Sequence, residues 1–361
     1  MKADRLERKT HFKKLSALPG GDVTVYDLTT VDTPDCSEST ALASLVNAAR
    51  LANRVADEIA LLPQSFNTQH EILLWAVAAM GHSPVAHRLL ERATQAGWRV
   101  GLTNLNNSGF YLDIPARTLL LDHFALAPAA LGRSAYFRNA LLTTFARALR
   151  DICHEENYGA FENTFGPEDV LMLERVRAAD CDTVTLMVCW EMRGAGFSDV
   201  WRHLLGTQEG DMALIFTRCL ERDPRALFDG TALAYAFRQW YADDARVDGC
   251  DHQTLEGLDD VLLLDGEGCG NPFGETRLTA AMIEELASLP DGTIYLAGLG
   301  ATILKDPFYA GLNDPINQTH LFHLMYDLEV TMVNNVPFRD AKLAARIFPT
   351  GLLSEEVVKR G

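Results

Sequence analysis

The sequence predicts an α+β protein that is mostly helical and carries a small antiparallel sheet. Two observations lead to this class. Apolar residues recur at three- and four-residue spacing over most of the chain, which is typical of amphipathic helices. The region after Trp98 instead contains short apolar segments separated by Asn, Gly and Pro, as expected of strands and turns laid against a helical body.

The N-terminal region, residues 1–96, is predicted to be helical after a polar start and a short strand at 22–28. Residues 37–62 follow helical spacing behind Ser and Thr, which are good N-caps. A later helix is expected to have Ser83 as its N-cap, Pro84 in the first turn and Gly97 as its terminator.

The central domain is predicted to span residues 97–264. Its first part contains three strand candidates, WRVGLTNL, FYLDI and RTLLLDHF, with turn residues between them. Helical spacing then continues to about residue 260 and predicts two long helices, at 133–157 and 166–196.

The Gly-rich, acidic stretch 265–275 is predicted to be a loop or boundary. The C-terminal segment, residues 265–361, should be mainly helical, with helices near 315–334 and 338–347 and a possible strand in GTIYLAGL. The role of this segment is not apparent from the sequence.

Composition limits the classes of partner. The net charge of −17 opposes binding to nucleic acid or to anionic membranes, which need clustered Lys and Arg. No apolar run reaches the length of a membrane span. The seven cysteines are scattered without a C-x-x-C pair, so we expect reduced thiols in a cytoplasmic protein.

The first long helix ends in CHEENYG, which contains part of a zinc-protease signature. In that signature two histidines at i and i+4 bind zinc, and a Glu beside the first histidine activates the bound water. His154 is followed by Glu155, but the position of the second histidine is occupied by Tyr158. A phenol is a poor replacement for imidazole, because its pKa is near 10.

Three features together indicate a family. They are the lead-in GWRVGLTNLNNSGFYLDIPARTLLLD, the two long helices, and the trailing AYAFRQWYADDARVDGCDHQTLEGLD. With them, the stretch from about Gly97 to Asp260 resembles a bacterial domain family of unknown function whose members are described as candidate metallopeptidases. The resemblance implies a zincin-like core and a bacterial source.

In that family the first long helix carries His-Glu-Leu-Arg-His and the second carries Glu-Ala-Asp, which fall here on 147–151 and 178–180. The positions that match are Leu149, Arg150, Ala179 and Asp180. The two histidines, the base and the third ligand are replaced by Arg147, Asp151, Ala148 and Ala178. Arg147 and Asp151, at i and i+4, are expected to form an ion pair. This register predicts that no metal is bound.

Two other interpretations of the helix remain open. In the first, the site has moved by one turn and is active: Asp151 and His154 share a helix face, Glu155 is the base, and Glu174 or Asp180 completes a zinc site. In the second, CHEENYG is an ordinary solvated helix end and coordinates nothing.

A weaker candidate metal site lies in HLFHLMYDLE, where His320, His323 and Asp327 fall close to one helical face. Histidines that are partly buried and hydrogen-bonded are the more common outcome of such a pattern.

The sequence therefore predicts a catalytically inactive metallopeptidase homologue that acts as a protein-binding module without a cofactor. One alternative is an active metal-dependent peptidase with zinc held around His154. Another is a structural or assembly component. The sequence does not specify the oligomeric state.

Overall fold

The computed structural model describes residues 39–52, 65–264, 272–328, 331–333 and 336–338. The strand predicted at 22–28 lies outside these residues. The chain forms two compact units, each built from separate segments. The first contains the described residues up to Gly159, with Arg177–Arg246 and Glu284–Ala297. The second contains Ala160–Val176, Val247–Ile283 and the described residues from Gly298 onward.

Helices dominate both units, as the apolar spacing predicts, so the α+β class is confirmed. The helices are α1 Leu42–Ala52, α2 Gln69–Met80, α3 Pro84–Gln95, α4 Pro128–Arg133, α5 Ala135–Tyr158, α6 Pro167–Gly194, α7 Ser198–Leu205, α8 Gly210–Arg222, α9 Thr231–Trp240, α10 Asp244–Leu264, α11 Ala280–Leu286, α12 Gly300–Lys305, α13 Pro307–Ala310 and α14 Pro315–Leu328.

The predicted caps of α3 are confirmed. The Ser83 hydroxyl accepts a hydrogen bond from the Ala86 amide at 3.0 Å, and Pro84 occupies the first turn. Gly97 ends the helix with φ +82°, a left-handed conformation that residues with a side chain rarely adopt.

The first unit contains a four-stranded sheet in the order β1-β2-β4-β3. These strands are β1 Thr40–Ala41, β2 Arg99–Thr103, β3 Phe110–Asp113 and β4 Thr118–Asp122. The prediction of an antiparallel sheet is wrong, because β2 and β4 are parallel while the other two pairs are antiparallel. Every residue of β4 is buried, so this strand inserts between β2 and β3 rather than taking an edge.

One C-terminal prediction is also wrong. GTIYLAGL forms turns instead of a strand, apart from one bridge between Ser288 and Ile294, and Gly292 has φ +91° there. In the second unit the helix predicted near 315–334 is confirmed over Pro315–Leu328 as α14, but Thr331–Val333 pairs with Val336–Phe338 as the antiparallel hairpin β5-β6. The predicted boundaries after residues 96 and 264 stay predictions.

The core of the first unit surrounds α5, which packs against α3, α7 and the strands β3 and β4. Most of the second half of α5 is buried, including the polar residues Arg150, Asp151 and His154. Buried charges require partners. Among the described residues, no helix has both the length and the apolar character needed to cross a bilayer.

Candidate functional site

Charged side chains of α5 meet charged side chains of α6 inside the first unit. On α5, Arg147, Arg150, Asp151 and His154 occur at three- and four-residue spacing and therefore share one helix face. The part of α6 that belongs to the first unit begins at Arg177 and supplies the partners.

Asp180 is the centre of this network. Its Oδ2 atom accepts hydrogen bonds from Arg150 Nε at 2.6 Å and from His154 Nε2 at 2.7 Å. Its Oδ1 atom accepts a hydrogen bond from the Tyr295 hydroxyl at 2.8 Å. Arg150 also donates to the Leu286 carbonyl at 2.9 Å, so its guanidinium has two hydrogen-bond acceptors. We call Arg150, His154, Asp180 and Tyr295 the Asp180 network.

The network fixes the protonation states of its members. Burial alone raises the pKa of Asp180, but the charge of Arg150 and the hydrogen bonds from His154 and Arg150 outweigh burial and lower that pKa to about 2. Burial and the Arg150 charge lower the pKa of His154 to about 4, against the opposing effect of Asp180. At neutral pH the carboxylate is ionised and the imidazole is neutral.

Neutral His154 must carry its single proton on Nε2, because that atom faces the ionised Asp180 carboxylate, which can only accept. Its other ring nitrogen, Nδ1, then has a lone pair and acts as an acceptor. Among the described residues Nδ1 has no hydrogen-bond partner, although it is buried.

A second ion pair between α5 and α6 involves Arg177, one helical turn before Asp180. Arg177 donates from Nε to Asp151 Oδ1 at 2.6 Å and from its terminal nitrogen to Glu155 Oε1 at 2.7 Å. The side chains of Arg177 and Asp151 are each 2% exposed. Glu155, the base of the active-site hypothesis, is therefore bound to a guanidinium.

A third ion pair joins Arg147 to Asp182, whose other carboxylate oxygen accepts from Trp240 Nε1 at 2.8 Å. The predicted pairing of Arg147 with Asp151 is wrong, since each of the two pairs with a residue of α6. The buried charges are satisfied between the helices instead of along one helix.

The other two replaced positions carry no polar side chain. Ala148 and Ala178 are both buried, and neither can bind a metal or accept a proton. The four positions that the resemblance assigns to a metal centre therefore provide two alanines, one guanidinium and one carboxylate that is already paired with Arg177.

Within the described ranges, His154, Asp180 and Cys181 form a group that could hold a metal, because their ligand atoms lie within 4.8 Å of one another. These donors do not fit zinc. The oxygens of Asp180 are engaged by Arg150, His154 and Tyr295, and a guanidinium in contact would repel a divalent cation. Burial raises the pKa of the Cys181 thiol, whereas zinc binds the thiolate.

Glu174, the other acid proposed as a ligand, precedes Asp180 by six residues on α6. Six residues correspond to about 600° of helix rotation, so the two side chains leave the helix on different faces.

The weaker site predicted on α14 lies in the second unit. There His320 Nε2 is 3.0 Å from Asp259 Oδ2, while the His323 ring lies 5.9 Å from the Phe322 ring. The side chain of Asp327 is outside the described part of the structure.

A cavity of about 270 Å³ borders the Asp180 network within the first unit. It lies between helix α3, the C-terminal end of α5, and the segment formed by the end of α11 and the turn that follows it. It is lined by Arg92, Arg150, His154, Asn157, Tyr158, Glu285, Leu286, Ser288 and Ile294.

Comparison with known proteins gives one family. Residues 146–297 match the family described as "Putative metallopeptidase family (DUF6782)". The match begins one residue before Arg147 and ends after Tyr295, so it contains the whole Asp180 network. No curated protein and no solved structure matches the chain.

The family resemblance is thus confirmed, with different limits. The strands after Trp98 precede the matched residues, and the match extends beyond Asp260 to Ala297. The zincin-like core stays a prediction. Sequence reasoning missed Arg177, Asp182 and Tyr295. Helix α6 contains many charged residues, so its sequence did not single out Arg177 or Asp182, and nothing in the sequence pointed to Tyr295.

Proposed function

We propose that this chain is a catalytically inactive member of its metallopeptidase family and that it acts as a protein-binding module. The observation that carries the proposal is the state of Asp180, whose two carboxylate oxygens are bound by Arg150, His154 and Tyr295. A metal at this carboxylate would have to displace a buried arginine.

The residues at the two candidate positions for the catalytic base, 148 and 155, support the same conclusion. Hydrolysis by a metallopeptidase needs a carboxylate that accepts a proton from the attacking water. Position 148 is alanine, and Glu155 lies 2.7 Å from the Arg177 guanidinium. The Oε1 atom of Glu155 therefore already accepts a hydrogen bond from a buried side chain.

A protein partner is favoured over a nucleic acid or a membrane by the net charge of −17. The first unit also exposes large apolar side chains on neighbouring elements: Phe228 is 82% exposed, Tyr235 on α9 is 53% exposed and Leu214 on α8 is 50% exposed. Helices α8 and α9 pack together. Large apolar side chains left exposed on elements that pack together are typical of protein-binding surfaces.

Elemental analysis of the purified protein, combined with a peptide-cleavage assay in added zinc, tests inactivity. We expect no stoichiometric metal and no cleavage. Zinc at one equivalent per chain that is lost in His154→Ala, but kept in His252→Ala, would contradict the proposal. His252 is a suitable control because its side chain is 77% exposed.

That contradictory result would support the active-peptidase alternative, which is favoured by the close spacing of His154, Asp180 and Cys181.

Protein binding is tested separately, by affinity purification with the wild type and with Phe228→Ser/Tyr235→Ser. We expect a protein that the wild type retains and the variant releases. Equal recovery by both would contradict a role for this surface.

The assembly-component alternative predicts self-association. Sedimentation of the purified wild-type chain tests it directly. A monomer across the accessible concentration range contradicts this alternative, and a defined oligomer supports it.

A further inference from the structure

Helix α14, in the second unit, carries apolar residues on two opposite faces. Asn317, Leu321 and Leu324 are buried and form its inner face. Because successive residues of an α-helix are rotated by about 100°, Ile316 and Phe322 leave the helix on the outer side. There they are 75% and 65% exposed. A helix that is apolar on both faces is normally covered on both, so the outer face of α14 is a candidate binding surface.

The outer face combines aromatic and aliphatic side chains without a charge. The Phe322 ring lies 6.5 Å from the ring of Tyr326, one turn further along, and the neighbouring Met325 is 40% exposed. No Asp, Glu, Lys or Arg occurs at positions 315–326. Exposed apolar patches of this kind mark interaction sites. We call Ile316, Phe322, Met325 and Tyr326 the α14 face.

An acidic helix borders the α14 face. Asp259 Oδ2 of α10 lies 3.0 Å from His320 Nε2 of α14, and Asn317 donates to Asp251 of α10 at 2.6 Å. The two helices therefore pack together within the second unit. His320 follows Ile316 by four residues, so their side chains are neighbours on the helix surface. The side chain of Asp259 is 47% exposed, which places a solvent-accessible carboxylate at the edge of the α14 face.

The negative charge continues along α10. Glu256, Asp259 and Asp260 are separated by three and four residues, share one side of the helix, and are not buried. Glu256 contacts the imidazole of His252 at 3.2 Å, but α10 contains no Lys or Arg from residue 247 to residue 264. A partner that covers the α14 face therefore meets negative charge at its edge, and positive charge on the partner would complement it.

We propose that the α14 face and the acidic side of α10 bind a basic amphipathic helix of a partner protein. Apolar side chains of that helix cover Ile316 and Phe322, and its Lys or Arg residues pair with Asp259 and Asp260. This site deepens the protein-binding function and rests on it. It does not rest on the α8–α9 surface, which belongs to the first unit, so the two surfaces are tested independently.

Two other occupants would cover the same face. A second copy of the chain is disfavoured, because it would bring two acidic surfaces together. The chain's own residues 339–353 include Arg339, Lys342 and Arg346 and lie outside the described residues. The experiments below separate both from a partner helix.

Fluorescence anisotropy of the full chain with a labelled synthetic peptide tests the surface. The peptide carries leucine and lysine on opposite faces of a helix, and its matched probe has glutamate in place of every lysine. We expect the leucine–lysine peptide to bind and the leucine–glutamate peptide to bind about tenfold or more weakly. Equal affinities, or no binding of the leucine–lysine peptide, would overturn the proposal.

Variants locate the peptide. Ile316→Ser/Phe322→Ser and Asp259→Asn/Asp260→Asn should each weaken binding of the leucine–lysine peptide about tenfold or more. Phe228→Ser is the matched control, because it removes an exposed phenylalanine from the first unit, and it should leave the affinity unchanged. If neither double variant weakens binding, or if the control weakens it equally, the peptide binds elsewhere and the proposal is wrong.

Two measurements identify the occupant. Sedimentation should give the same mass for the wild type and for Phe322→Ser, and an oligomer that dissociates in this variant would assign the face to a second copy. Lys342→Glu/Arg346→Glu should leave the peptide affinity unchanged, and binding about tenfold or more tighter would assign the face to the chain's own segment. Either of these failures leaves the test of Phe228→Ser/Tyr235→Ser unaffected, so it is distinguishable from failure of the α8–α9 surface.

Discussion

His154 Nε2 and Asp180 Oδ2 lie 2.7 Å apart, and neither side chain is more than 1% exposed. In a metal site the same imidazole nitrogen and carboxylate oxygen would both point at an ion. Here they point at each other, and Arg150 supplies the positive charge that an ion would bring. The negative charge of Asp180 is therefore balanced by a protein side chain.

Asp180→Asn should strongly destabilise the first unit. The substitution keeps the shape of the side chain but leaves the Arg150 charge buried without its anion, which typically costs about 3–5 kcal/mol. Tyr295→Phe removes one hydrogen bond to the same carboxylate and should cost about 1 kcal/mol. Urea unfolding followed by circular dichroism gives both values.

Tyr235→Phe is the control for the tyrosine change, because Tyr235 is 53% exposed. If Asp180→Asn lowers the free energy of unfolding no more than Tyr295→Phe does, the buried charge of Arg150 does not need this carboxylate as its counter-ion.

The free energy of unfolding should fall as the pH decreases from about 6.5 to about 4. The pKa of His154 is about 4 in the folded state, against 6.5 ordinarily, so only the unfolded chain takes up this proton in that range. The loss should approach about 3 kcal/mol. Asp180 adds a further loss between about 3.8 and about 2, where its carboxylate is protonated first in the unfolded chain.

Denaturant titrations at several pH values test this dependence, with His154→Gln and the exposed His252→Gln for comparison. The decrease of the unfolding free energy with falling pH should become smaller in His154→Gln and should be unchanged in His252→Gln. Nitrogen-15 NMR of the imidazole should also show Nδ1 without a proton at pH 7. A protonated Nδ1 at that pH would contradict the assigned tautomer.

Arg177→Met should destabilise the fold more than the double variant Arg177→Met/Asp151→Leu. The single change leaves Asp151 as a buried anion, at a cost of about 3–5 kcal/mol, whereas the double change removes both charges of this pair. Glu155 loses its contact with Arg177 in both variants, so it does not account for the difference between them. The exposed pair Arg202–Asp199 is the matched control, and its variants should change stability by less than about 1 kcal/mol. Equal losses for the single and double variants would show that pairing is not what holds Asp151.

Gly311→Ala should destabilise the second unit. Gly311 has φ +74°, and a Cβ there would lie 2.6 Å from Arg175 Cζ, whose Nε donates to Asp251 at 2.5 Å. Backbone strain alone costs about 1–3 kcal/mol, and the contact with Arg175 adds to it. Hydrogen exchange of α14 measures the effect locally.

Gly298→Ala isolates the contact from the strain, because Gly298 has φ +78° and nothing lies within 4 Å of the added Cβ. We expect the larger effect at Gly311. An equal effect at the two glycines would mean that Arg175 moves away at little cost.

The sequence alone predicted the features that depend on neighbours along the chain. The caps of α3, the spans of α5 and α6 and the three strands after Trp98 follow from local spacing and turn residues. The antiparallel pairing predicted for the sheet is wrong for β2 and β4, because insertion of β4 between β2 and β3 depends on burial of the whole sheet.

The candidate site was predictable only in part. The sequence showed that ligands were replaced at positions 147, 148, 151 and 178, since that follows from residue identity. It did not give the partners: Arg147 pairs with Asp182 and Asp151 with Arg177, which depends on how α5 and α6 are rotated against each other.

The sequence by itself determined a helical α+β chain whose assigned metal positions contain no histidine. The tertiary structure alone decided that Tyr295, 115 residues from Asp180 in the chain, joins the network, and that His154 borders a cavity with Arg92 and Glu285. The physical reason is that helical periodicity acts over a few residues, whereas the pairing of buried charges is chosen by packing between distant segments.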